Sequence, residues 1–104
     1  MVYTLFFSRL REFSGEEQDA YRRHAQAVQE VAVAEHSGFV SLKTYVSEDG
    51  ERLSVVVFRD AESQRGWKLD PLHREAQARG RSDYYESYRI VVCEERHVHG
   101  WVRR

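Results

Sequence analysis

Strand-type and helix-type patterning alternate along this chain in an order that suggests its fold. Tyr3 to Leu10 is dense in β-branched and aromatic residues and stops where Glu12, Ser14 and Gly15 break the pattern. Ser14 with Glu17 forms a capping-box signature, in which the hydroxyl takes the amide three residues on and the carboxylate reaches back, so a helix starts there. Ala20, Tyr21, Ala25, Val28, Val31 and Ala32 then recur at helical spacing opposite Arg22, Arg23, Gln26, Gln29 and Glu30, and Gly38 supplies a left-handed stop. Phe39 to Glu48 and Arg52 to Arg59 flank Asp49-Gly50, a pair that predicts a two-residue type I′ hairpin. Asp60 is placed to cap a second helix. Pro71 lacks an amide hydrogen, so that helix breaks near Leu69 and restarts with Asp70 as N-cap and Pro71 first, to end at Gly80. A last strand runs from about Tyr84 to Glu94.

That last strand carries Tyr84, Tyr88, Ile90 and Val92 on one face and Tyr85, Val91 and Cys93 on the other, and Leu53 to Phe58 is nearly continuous in apolar residues. Strands apolar on both faces are covered on both faces. The order of elements predicts an α+β chain, a ferredoxin-like βαββαβ arrangement with a four-stranded antiparallel sheet whose two helices cover one side. A second copy of the chain is the simplest cover for the other, giving a two-fold homodimer in which two curved sheets make a dimeric α+β barrel.

Length and charge narrow the remaining possibilities. The 104 residues predict one domain spanning 1–104. Sixteen Lys and Arg against seventeen Asp and Glu leave no net field to draw in nucleic acid or an anionic membrane. The apolar start is too short to span a membrane, and Cys93 is alone, which excludes an intrachain disulfide; together they predict a cytoplasmic protein with Cys93 packed in a strand.

Several residues offer chemistry. Trp67 can fill core or aim its N–H at a ligand oxygen. His73 lies at the edge of the restarted helix's inner face, where Leu72 and Ala76 point in and Arg74, Glu75 and Gln77 lean out, and an imidazole there can act as a general base, as a haem ligand or as a satisfied boundary residue. His24 falls on the inner side of the first helix. Among Tyr84, Tyr85 and Tyr88, strand alternation points Tyr85 away from the other two. His97 and His99 lack a nearby acid or cysteine and fall short of a metal site, and neither a glycine-rich phosphate loop nor a nucleophile elbow is present.

The stretch from Phe58 to Tyr88, FRDAESQRGWKLDPLHREAQARGRSDYYESY, together with the Gly38-Phe39 start of the second strand, resembles the antibiotic-biosynthesis-monooxygenase family of the dimeric α+β barrel superfamily. The resemblance covers the order of elements from Tyr3 to Val92. It implies a homodimer with a pocket in each protomer between sheet and helices, and a cofactor-independent monooxygenase that deprotonates an electron-rich aromatic of quinol or anthrone type, whose anion then reduces oxygen. Carried onto this chain, Trp67 is the donor that steadies the oxyanion and His73 or a tyrosine accepts the proton, with Phe7, Tyr85 and His24 as substrate-binding candidates. A haem-degrading branch of the family uses an Asn, Trp and His set, which makes haem binding the alternative, beside a non-catalytic dimeric ligand-binding module. The chain has no asparagine, and its first strand has Phe7 and Ser8 where a polar amide is expected.

Overall fold

The computed structural model describes residues 1–35 and 38–104, without the side chains of residues 28–35 and 72. In chain order it comprises β1 (Val2–Leu10), α1 (Gly15–Glu35), β2 (Phe39–Val46), β3 (Arg52–Phe58), α2 (Ala61–Lys68), α3 (Pro71–Arg79), a π-helical turn over Gly80–Tyr84, and β4 (Tyr85–Glu94). The strands form one antiparallel sheet in the order β2-β3-β1-β4, the expected ferredoxin-like α+β arrangement.

Local chemistry accounts for most element boundaries. The Ser14 Oγ accepts the Glu17 amide at 3.2 Å, as a capping box requires, but the Glu17 carboxylate binds the Ser14 hydroxyl and the Arg11 guanidinium. At α2 the Asp60 carboxylate accepts the Ser63 amide at 2.8 Å, and these bonds hold its pKa below the usual carboxylate range. Pro71 opens α3 after the break at Leu69. Gly38 has φ 89° and its carbonyl accepts the Arg59 amide at 2.7 Å; a Cβ there would lie 2.3 Å from Ser63 Oγ.

Three boundaries differ from expectation. The hairpin is a three-residue loop, not a type I′ turn: Gly50 donates to the Ser47 carbonyl, Ser47 pairs with Glu51, and only Gly50 has positive φ. Asp49 stays at negative φ because its carboxylate accepts the Glu51 amide at 3.1 Å and the Ser47 hydroxyl, so a turn followed by a glycine bulge replaces the double left-handed turn. Gly80 does not stop the chain but opens the π-helical turn, which absorbs Tyr84 and delays β4 to Tyr85. Cys93, expected in the packed interior, is exposed.

The two sides of the sheet are unlike. On the helix side Val56, Phe58 and Trp67 form the buried cluster, with Phe39 and Leu42 against it, at the end of the sheet where α2 lies close. Of the α1 face, Val28, Val31 and Ala32 lie outside the described side chains, as does Leu72 of α3; Ala20 and Tyr21 are half-buried while Ala25 is exposed. On the opposite side Leu5 sits between Val55 and Val91 in register, with Phe7 between Leu53 and Arg89, and among the described residues no helix covers this row. Among the described residues no helix is long and apolar enough to cross a membrane.

Candidate functional site

Strand alternation and a helix layer that stands off the sheet together leave a cavity of about 730 Å³. Its floor is the even-numbered parity of β1 (Thr4, Phe6, Ser8), continued by Arg52, Ser54 and Val56 of β3. Its roof is α1 and α3. A volume of this size holds a small organic molecule of several rings. Because the helices do not seal onto the strands here, Arg22, Gln26 and Gln77, expected on outer helix faces, also reach the cavity wall.

One end is built by the helix break. Asp70 donates to the Trp67 carbonyl at 3.1 Å, which tightens the turn and lets the first turn of α3 fold back on α2. The His73 ring therefore lies against Trp67, with ring centroids 3.9 Å apart and planes inclined by 39°. Trp67 is 5% exposed, yet its Nε1 has no hydrogen-bond partner among the described residues. Three residues earlier on the same helix face, Gln64 is equally buried and donates from Nε2 to Thr4 Oγ1 at 3.3 Å.

The other end is a group of phenols. Tyr84 packs edge-on against Tyr21 at 5.3 Å and against the His24 ring at 5.7 Å, and its buried hydroxyl has no partner among the described residues. Tyr85 and Tyr88 both contact Phe6, at 5.3 and 5.5 Å, and the Arg81 guanidinium donates to Tyr88 at 3.0 Å. Burial pushes the Tyr85 hydroxyl far above the usual phenol range, its neighbour Tyr21 acts in the same direction, and the Arg52 charge opposes them only weakly. Tyr85 is thus a neutral donor at physiological pH and no proton acceptor. Buried donors left unpaired cost about 1–3 kcal/mol each, and the Trp67 Nε1 and the Tyr84 hydroxyl are two such donors, on residues that line the cavity at its two ends.

Of the residues picked out from sequence, Trp67, His73, His24 and Tyr85 line this cavity, the first two at one end and the last two at the other. Phe7 does not. Alternation puts it on the helix-free side under the Arg89 guanidinium, 4.6 Å from its ring, and Phe6 takes the inward place. Tyr85 shares the cavity with Tyr88, against simple alternation, because the β1–β4 register slips between Arg9 and Leu10 and leaves Glu86 without a β1 partner. Sequence reading passed over Gln64, although its spacing from Trp67 marks a shared helix face. It also passed over Arg52, which is in phase with Val56 and Phe58 and so places a charge at an inward position.

No protein-family model and no curated protein matches this sequence. Solved structures do match in fold. A Deinococcus radiodurans protein assigned as an antibiotic biosynthesis monooxygenase superposes with a TM-score of 0.74 at 13% identity, over 99% of this chain and 100% of the other. A variant of SnoaB, a cofactor-independent oxygenase from Streptomyces nogalater, gives 0.70 at 15% identity over 93% and 94%. A dimeric protein of unknown function and ferredoxin-like fold from Bacteroides fragilis gives 0.68 at 16% over 90% and 95%. At such identities the likeness establishes the architecture: this chain has the ferredoxin-like α+β fold on which antibiotic biosynthesis monooxygenases are built.

Proposed function

We propose that this chain is a cofactor-independent monooxygenase of the antibiotic-biosynthesis type, acting on an electron-rich aromatic of quinol or anthrone class. The observation that carries the reading is the stacking of the Trp67 indole, whose buried N–H has no partner among the described residues, on the His73 imidazole, ring centroids 3.9 Å apart, both residues lining a cavity large enough for a polycyclic ring system. In the reaction His73 takes the acidic proton of the aromatic, and Trp67 Nε1 donates to the oxygen on which negative charge develops. The anion passes one electron to dioxygen, the radical pair collapses to a peroxide, and loss of water leaves the new carbonyl, so one oxygen atom ends in product and one in water. Tyr84 offers a second donor along the ring system.

The SnoaB likeness supports oxygen chemistry on this fold without a cofactor. Haem fits these residues less well, since the His73 ring packs on the indole and the buried amide of Gln64 is held by Thr4. The lone cysteine is in keeping with a cytoplasmic setting. A homodimer joined through the helix-free sheet face accompanies the proposal, supported by the apolar row there and by the dimeric neighbour of the same fold.

The test is oxygen uptake with an anthrone or a quinol in the absence of flavin and metal. Turnover is expected, with an acid limb in the pH–rate profile that disappears in His73→Gln. A Soret band on haem titration without uptake would replace this reading with the haem-binding one, and inertness to both leaves a ligand-binding module.

A further inference from the structure

The charge of the cavity does not follow that of the chain. Seventeen of the 104 residues are acidic, yet among the described residues no Asp or Glu lines the cavity, whereas Arg22, Arg52 and Lys68 do. Arg22 and Lys68 are exposed. Arg52 is half-buried on β3, opposite Ser8, and among the described residues it has no carboxylate partner. Cations of this kind are normally paired, because a guanidinium taken partly out of water without a counter-charge is costly. Its neighbours on the floor are Ser8, Ser54 and Tyr88, hydroxyl groups able to complete the shell of an anion.

From this we infer that Arg52 is the clamp for a carboxylate on the ligand, so that the cavity takes an aromatic acid and not a neutral ring system. The inference rests on the oxygenase reading only for the position of the reacting atom; the anion site itself needs no reaction. Guanidinium and carboxylate match in a two-pronged planar contact, and here both would be shielded from water by the aromatic wall. The geometry also sets a length. Arg52 lies four residues along β3 from Val56, which packs on Trp67, and four residues of strand span about 13 Å. A ligand held at both ends therefore carries its acid group at the far end of two or three fused rings from the oxygen that meets the indole. Arg22 and Lys68 add positive potential on the wall, which speeds capture of the acid at low salt.

The probes are anthracene-2-carboxylate and its uncharged mate of equal shape, anthracene-2-carboxamide, each titrated against the full chain by quenching of tryptophan fluorescence. The wild type is expected to favour the carboxylate roughly 10- to 100-fold. Arg52→Gln is expected to remove that preference while leaving carboxamide affinity within about twofold, and Arg52→Lys to retain part of it. Equal affinity of the wild type for the two probes overturns the proposal, as does a preference that survives in Arg52→Gln, or failure of both to bind at millimolar concentration. The comparison of the two probes on unaltered protein stands even if the variants do not fold. Oxygen uptake is scored separately: a charge preference without turnover refutes the oxygenase and keeps the anion site, and turnover without a preference does the reverse.

Discussion

Replacing Trp67 by Phe separates the two things an indole can do in this fold. In folding, the change removes about three ring atoms from a residue that is 5% exposed, and at about 0.8 kcal/mol for each methylene-sized group this costs about 2 kcal/mol. It also removes an N–H that is buried without a partner among the described residues, which relieves roughly 1–3 kcal/mol. The two nearly cancel, leaving a net change within about 1 kcal/mol, or about 4–8 °C in Tm for a chain of this size. In the proposed reaction nothing cancels. Loss of a donor aimed at a developing oxyanion lowers kcat by about 10²–10³. Thermal melting by circular dichroism, run beside oxygen uptake on an anthrone, reads both. Unchanged kcat with an unchanged melt would take Trp67 out of the mechanism. A melt lowered by more than about 15 °C, with activity falling only as the folded fraction does, would make it a core residue.

Other consequences are as direct. Gly80→Ala puts a Cβ 2.6 Å from the Tyr85 ring, so the ring must shift; a loss of about 1–3 kcal/mol in chemical denaturation and weaker binding of the aromatic probes are expected. Tyr85 has a raised pKa in the folded state, so its contribution to stability is intact below the ordinary phenol pKa and declines as pH rises beyond about 10. Tyr85→Phe should flatten that alkaline decline in denaturation midpoints measured from pH 9 to 11. Val55→Asp sets a charge in the helix-free apolar row beside Leu5; for the proposed homodimer, sedimentation should show a dimer in the wild type and a shift toward monomer in the variant, and a variant dimer of undiminished strength would move the interface elsewhere.

Residue patterns carried the architecture further than they carried the site. Most helix stops and starts were legible because Pro71, Gly38 and Asp60 act locally, through a missing amide, a positive φ and a capping carboxylate; Gly80, without a positive φ, opens a π-helical turn instead. The hairpin was misjudged for an equally local reason: both turn types suit Asp49-Gly50, and the choice between them fell to the Ser47 hydroxyl and the Glu51 amide, which both donate to the Asp49 carboxylate. Facing was harder. Choosing Phe7 for the cavity is an error of one residue in strand phase, while setting Tyr85 on the face opposite Tyr88 follows alternation and fails only because of a register slip beyond the reach of periodicity. The cationic lining was invisible for a different reason, since it gathers residues from α1, α2 and β3 whose common wall exists only once the sheet has closed.

The place of β1 in that sheet bears on how the chain acquires its shape. β1 is made before the other strands, yet it lies between β3 and β4, pairing Val2 with Phe58 on one side and with Glu94 on the other. At about 5–20 residues per second, its second neighbour follows roughly 4–18 s later. Until then the run VYTLFF keeps an open edge and an apolar face. The β2–β3 hairpin closes within a short loop and has no such delay, so it is the natural nucleus on which β1 first docks. Insertion of β4 is the slow, long-range step, and it is also the step that completes the cavity floor. A ribosome-stalled or truncated chain lacking β4 should therefore be bound by chaperones that recognise extended apolar segments, and be unable to bind any ligand at all.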